Sequence, residues 1–316
     1  MSEKRILEEI ESLKKERNAV ILAHNYQIGE VQDIADYVGD SLELSRRAAQ
    51  TDAEVIVFCG VLFMAETASI LSPQKTVLLP EINAGCPMAD MITASELRAL
   101  KKKNPGSEVI CYVNSSAEVK AESDICCTSA NATEIVNSLK GDRPPIFVPD
   151  MNLGRYASKM TGREMIFWKG HCYVHTLIRA EDLKKQKEKH PKAVVIVHPE
   201  CLPDVIELAD EVASTSGMLR FAARCSVDEM IIGTETGLLH KLKKDNPKKK
   251  FWPASEHAIC DNMKKTTLGK VLNALRELKY VVKVPPEIRV KAERAVEKMI
   301  ACGGTPTKAC PCLGEG

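Results

Sequence analysis

The 316-residue chain is short of net charge and of aromatic rings. Its 44 Lys and Arg nearly cancel 43 Asp and Glu, leaving +1, and Phe, Trp and Tyr make up 4%. No basic run is interleaved with aromatics, so a nucleic-acid surface is not expected. No apolar stretch approaches the ~20 residues of a membrane-spanning helix, so no membrane partner is expected either. The N-terminal MSEKRILEEIESLKKER is charged and amphipathic, which suits a surface helix and not an export signal. No CxxC pair occurs, unlike the usual structural zinc site. The expectation is a soluble, cytoplasmic protein.

Cysteine itself is abundant, at twelve. Reduced cytosolic thiols point to metal or redox chemistry, although most buried free cysteines are small core residues. Cys59, Cys111, Cys126, Cys127, Cys201 and Cys225 are mostly expected to be such.

Continuous Val/Ile-rich runs recur: NAVILAHNY, AEVIVFCG, KTVLLP, SEVICYVN, PPIFVPD, EMIFW, AVVIVHPEC, EMIIGTE and KKFWPA. Amphipathic segments such as SELRALKKKN, AEDLKKQKEKH and LGKVLNALRELK separate groups of them. This predicts an α/β protein with parallel strands buried on both faces.

The groups look like one unit written three times. His24, Tyr112 and His198 are spaced by 88 and 86 residues, as are Tyr26, Asn114 and Glu200, and Ser41, Ser129 and Thr215. Cys86, Cys172 and Cys260 are spaced by 86 and 88. Four position sets in register establish internal repetition. The expected units are 1–88, completed by 265–300, then 89–176 and 177–264. A flexible Cys-containing tail is expected at 301–316.

Ligands bind beyond the carboxyl ends of parallel strands. Residues i and i+2 of an extended segment share a side. Hence His24 with Tyr26, Tyr112 with Asn114, and His198 with Glu200 can face one central cavity if the units surround a pseudo-threefold axis. Ser41, Ser129 and Thr215 suit carboxylate or phosphate oxygens, or else simply cap helices. The three cysteines converge on the same axis. A four-iron cluster on three cysteines leaves one iron open to act as a Lewis acid. A repeat alone also explains equal spacing without metal.

Together, ILAHNYQIGEVQDIADYVGDS, YVNSSAEVKAESDICCTSAN, GHCYVH, VIVHPEC and AICDNMKKTTL resemble the quinolinate synthase (NadA) family of NAD biosynthesis, over roughly 18–285. The resemblance implies three αβα (three-layer) domains around a pseudo-threefold axis. It implies one [4Fe–4S] cluster on Cys86, Cys172 and Cys260. It implies condensation of iminosuccinate with dihydroxyacetone phosphate to quinolinate, phosphate and water, the iminosuccinate coming from an aspartate oxidase or dehydrogenase. It carries substrate contacts to His24, Ser41, Tyr112, Val113, Asn114, Ser129, His198, Pro199, Glu200 and Thr215, and proton transfer to Tyr26.

Glu200 is then the leading general base, with Tyr26 and His198 as proton partners. A pKa raised by burial would let Glu200 exchange protons near neutrality. His171 either stands beside the cluster or lies in a surface loop. His175, His190, His240 and His257 have no patterned partner, Cys201 is structural, and Met64 packs the core. Cys260 in AICDNMKK matches the family's shorter type; Cys310 or Cys312 of the tail is the reserve third ligand, and Cys302 has no assigned role. Two other classes stay open: a zinc or mononuclear-iron hydrolase using His24, His198 and Glu200, and a non-catalytic dicarboxylate-binding protein.

Overall fold

The structure, a computed structural model, describes residues 2–302. Cys310 and Cys312 fall outside them. Three four-stranded, all-parallel sheets follow one another along the chain, flanked by helices, as an α/β protein of three αβα units requires. The first sheet holds β1 (Ala19–His24), β2 (Tyr37–Gly39), β3 (Val55–Cys59) and β4 (Thr76–Leu78). The second holds β5 (Val109–Tyr112), β6 (Ile125–Cys127), β7 (Ile146–Val148) and β8 (Ile166–Phe167). The third holds β9 (Val194–Val197), β10 (Glu211–Val212), β11 (Glu229–Gly233) and β12 (Lys250–Pro253).

Strand order is the same in all three: second, first, third, fourth. The chain direction across the sheet therefore reverses between the first and third strands. The crevice of such a sheet opens at their carboxyl ends. Every residue of β3, β5 and β7 is buried, as the unbroken apolar runs demanded.

The amino ends are tied by one repeated contact. Asp36, Asp124 and Asp210 each precede a second strand and accept a first-strand N–H. Their donors are Ile21 at 2.8 Å, Val109 at 2.7 Å and Val195 at 2.8 Å. This helps fix the register of the short second strands, of which β2 and β10 are too little buried for burial alone to do so.

The N-terminal helix Glu3–Glu16 buries Ile10 and Leu13 against Val271, Leu272 and Leu275 of the helix Leu268–Glu277, over the first sheet. The last helix, Pro286–Ala301, lies on β6, on the helix Ala117–Ala121 and on the helix Leu62–Leu71. Burying such aliphatic side chains contributes roughly 1.5–3 kcal/mol each. No helix among the described residues is long and apolar enough to cross a membrane.

Candidate active site

The carboxyl ends of all three sheets meet at one cavity of about 70 Å³, room for several waters. Its walls hold His24, Tyr26 and Ser41 from the first unit, and Tyr112, Asn114 and Ser129 from the second. The third supplies His198, Glu200 and Thr215, and Cys86, Cys172 and Cys260 complete the lining. Val113 does not line it; its side chain is buried in the core beside Tyr112. Pro199 faces an adjoining depression that shares Ser129. Met64 is both core and wall.

The neighbours of Ser41 and Thr215 do the capping. Asp40 accepts the N–H groups of Leu42 and Glu43, and Ser214 that of Gly217. Ser41 and Thr215 therefore sit inside the first turn beside the cavity. Thr215 accepts from the buried Asn25 amide at 2.8 Å, and Ser129 lies 3.1 Å from His198 Nε2.

Glu200 is buried with two imidazoles on one oxygen. His175 Nδ1 stands 3.0 Å and His198 Nδ1 3.1 Å from Oε2. The rings of His175 and His198 stack at 4.5 Å. Burial alone would raise the Glu200 carboxyl, but His175 and His198 outweigh it and hold it below the usual range. The upward shift anticipated for a buried carboxylate is thus reversed. Burial lowers His198, reinforced by the neighbouring His175 and opposed by Glu200. Burial, with the charge of His198, takes His24 from 6.5 to about 3. The Tyr26 hydroxyl, raised by burial and by Glu200, lies 2.6 Å from Thr234 Oγ1 and 3.4 Å from His175 Nε2. A continuous chain therefore runs Tyr26–His175–Glu200–His198–Ser129. Glu200 Oε1 and Asn114 Oδ1 have no hydrogen-bond partner among the described residues, and so await donors.

The cysteines share a local design. Cys172 and Cys260 cap the short helices Tyr173–Thr176 and Asp261–Lys264. Cys86 stands just before the 3-10 turn Ala89–Met91. Backbone amides of the following turn lie near each thiol and oppose the effect of burial, Ala89 and Met88 at Cys86, His175 at Cys172, and Met263 and Asn262 at Cys260, although neither Cys172 nor Cys260 makes a side-chain capping hydrogen bond. Those amides favour thiolate. Burial still pushes Cys86 up to about 12 and raises Cys172 and Cys260, with Cys260 raising Cys86 and Cys86 raising Cys172. Three partly buried thiols lining one cavity, each near backbone amides, are a donor set suited to a cationic iron–sulfur centre. A tighter group, with ligand atoms within 4.8 Å of one another, is Cys172, His175 and Glu200. The hydrolase set of His24, His198 and Glu200 is not so assembled among the described residues.

Sequence reasoning passed over His175, which sits 3.2 Å from Cys172 Sγ and 2.9 Å from Thr234. The spacing Cys172-x-x-His175 on one helical turn was the available signal. His171 instead donates its backbone N–H to Met91 sulfur. His190 stacks on Trp252, His240 pairs with Asp33 at 3.0 Å, and His257 is exposed. Cys201, Cys59, Cys111, Cys126, Cys127 and Cys225 are buried core residues.

A family model described as "NadA: Quinolinate synthetase A protein" matches residues 8–301. A protein of Dehalococcoides mccartyi (strain CBDB1) named "Quinolinate synthase" is 60% identical over 295 residues, 93% of this chain and 97% of that protein. Proteins of the same name from Thermodesulfovibrio yellowstonii and Methanoregula boonei are 58% and 56% identical. They cover 94% and 93% of this chain, and 98% and 97% of their own lengths.

Proposed function

The chain belongs to the quinolinate synthetase A family, and we propose that it condenses iminosuccinate with dihydroxyacetone phosphate to quinolinate, releasing phosphate and water. It does so in the cytoplasm, with a [4Fe–4S] cluster held by Cys86, Cys172 and Cys260. The observation that carries this reading is the convergence of three thiols, one from each unit's cysteine loop, on the cavity that also holds Glu200, its two imidazoles and the repeated hydroxyls. When bound, the cluster supplies a Lewis-acidic iron that activates a leaving hydroxyl.

The chain's own residues do the rest. Ser41, Ser129 and Thr215, with nearby first-turn amides, hold the carboxylates and the phosphate. The unpartnered Asn114 oxygen accepts from a substrate hydroxyl or imine N–H. Holding both substrates in one cavity lowers the entropic part of the carbon–carbon bond-forming barrier. Glu200 acts with His198 and His175 as one proton-accepting group: an imidazole takes the proton from carbon, and the carboxylate stabilises the imidazolium. Tyr26 extends the proton path through His175. An enzyme that oxidises aspartate must supply the unstable imine.

Iron and acid-labile sulfide analysis of anaerobically reconstituted protein, beside Cys172→Ala, tests the reading. About four of each per chain are expected, lost in the variant. One metal without sulfide would favour a single ion on Cys172, His175 and Glu200 and overturn the cluster.

A further inference from the structure

The three cysteine loops are alike in backbone and unlike in one side chain. In each unit the third residue after the third strand donates its N–H to the carbonyl two residues before the cysteine. Leu62 reaches Ala84 at 2.8 Å, Met151 reaches Gly170 at 2.8 Å, and Thr236 reaches Ala258 at 3.0 Å. The residue just before these donors differs. In the second unit it is Asp150, whose Oδ2 accepts the Cys172 N–H at 3.0 Å and Oδ1 the Leu153 N–H at 2.7 Å. In the third it is Glu235, whose Oε1 accepts the Cys260 N–H at 3.0 Å and Oε2 the Gly237 N–H at 2.7 Å. Lys264 joins Glu235 to the Tyr26 carbonyl, 2.6 Å from its Nζ. Both carboxylate residues have 0% exposure. The first unit has Val61 in this place, which offers no acceptor.

A buried carboxylate has only acceptors, and it is satisfied when donors from other segments come to it. Asp150 and Glu235 thereby clamp their cysteine's backbone to the end of the third strand.

We propose that Asp150 and Glu235 are positioning residues that preset the Cys172 and Cys260 loops before iron arrives, leaving the Cys86 loop to close last. This rests on the three-cysteine reading above. Asp150→Asn and Glu235→Gln keep side-chain size but turn one acceptor into a donor that faces an N–H. Asp124→Asn is the control, because it loosens the far end of a sheet. Iron and sulfide incorporation into the full chain, followed by visible absorption, is expected to slow ~10-fold or more in the first two variants. It should be unchanged in Asp124→Asn. Loading at the wild-type rate in both variants would overturn the proposal.

A second measurement needs no substitution, so a variant that fails to fold does not end the test. In the iron-free full chain, the Cys172 and Cys260 amides should exchange hydrogen ~10-fold or more slowly than the Cys86 amide. Equal exchange at all three would overturn the preset loops. Wild-type protein that takes up neither iron nor sulfide would refute the cluster instead, a result distinct from either of these.

Discussion

The two ends of the three sheets obey different rules. At the amino ends each unit uses the same residue for the same contact: Asp36, Asp124 and Asp210 hold first-strand N–H groups at 2.7–2.8 Å. At the carboxyl ends the repeat keeps its positions and changes its chemistry. Histidine, tyrosine and histidine stand at the carboxyl ends of the first strands; tyrosine, asparagine and glutamate come two residues later. Symmetry persists where the job is to fix register and breaks where one cavity needs an acid–base group, an amide and a phenol at once.

The largest break should come from the carboxyl end. His175→Asn removes the link among Cys172, Glu200, Thr234 and Tyr26. Quinolinate formation should fall ~100-fold or more while thermal stability changes little. A variant with wild-type turnover would take His175 out of the proton path.

Gly237→Ala tests how tightly the third unit's carboxyl end is built. Its Cβ would lie 2.7 Å from Lys264 Nζ and 2.8 Å from both Glu235 Oε2 and the Tyr26 carbonyl oxygen. Denaturant titration should show a loss of roughly 1–3 kcal/mol, and no loss would mean that the Lys264–Glu235 bridge gives way easily.

Acid separates the ends further. Folding holds His24 neutral, from 6.5 down to about 3, chiefly by burial. The unfolded chain binds that proton first, so stability falls as pH drops below about 6.5 and stops falling on this account near 3. Urea unfolding at pH about 7.5 and about 5.5 should differ by about 1 kcal/mol from this residue, and His24→Gln should remove that share. An unchanged pH slope in the variant would contradict it.

The smallest effects belong to the amino ends. Asp36→Asn, Asp124→Asn and Asp210→Asn each keep a neutral acceptor and should cost about 0.5 kcal/mol apiece. Nearly equal losses would confirm that the three contacts are one device; a widely unequal set would show that the repeat is not energetic.

Much of this was legible in the sequence, for a physical reason. Strands buried on both faces must be apolar without interruption, so runs such as AVVIVHPEC announce themselves. The edge strands β2, β6 and β10, of two or three residues, carry no such run and are held by an aspartate instead. The cavity residues were visible because similar polar types recur at one period. His175 was not, because its counterparts three residues after Cys86 and Cys260 are Ala89 and Met263. Asp150 and Glu235 escaped likewise, their counterpart being Val61. A search for repeated chemistry finds what the units share and passes over what only one or two possess.

The most direct test of the central claim is a single assay. Anaerobically reconstituted chain, given iminosuccinate and dihydroxyacetone phosphate, should form quinolinate, and Glu200→Gln with an intact iron and sulfide content should form it ~100-fold more slowly or worse. Full activity in that variant, or a fully loaded wild-type chain that forms no quinolinate, would contradict the account.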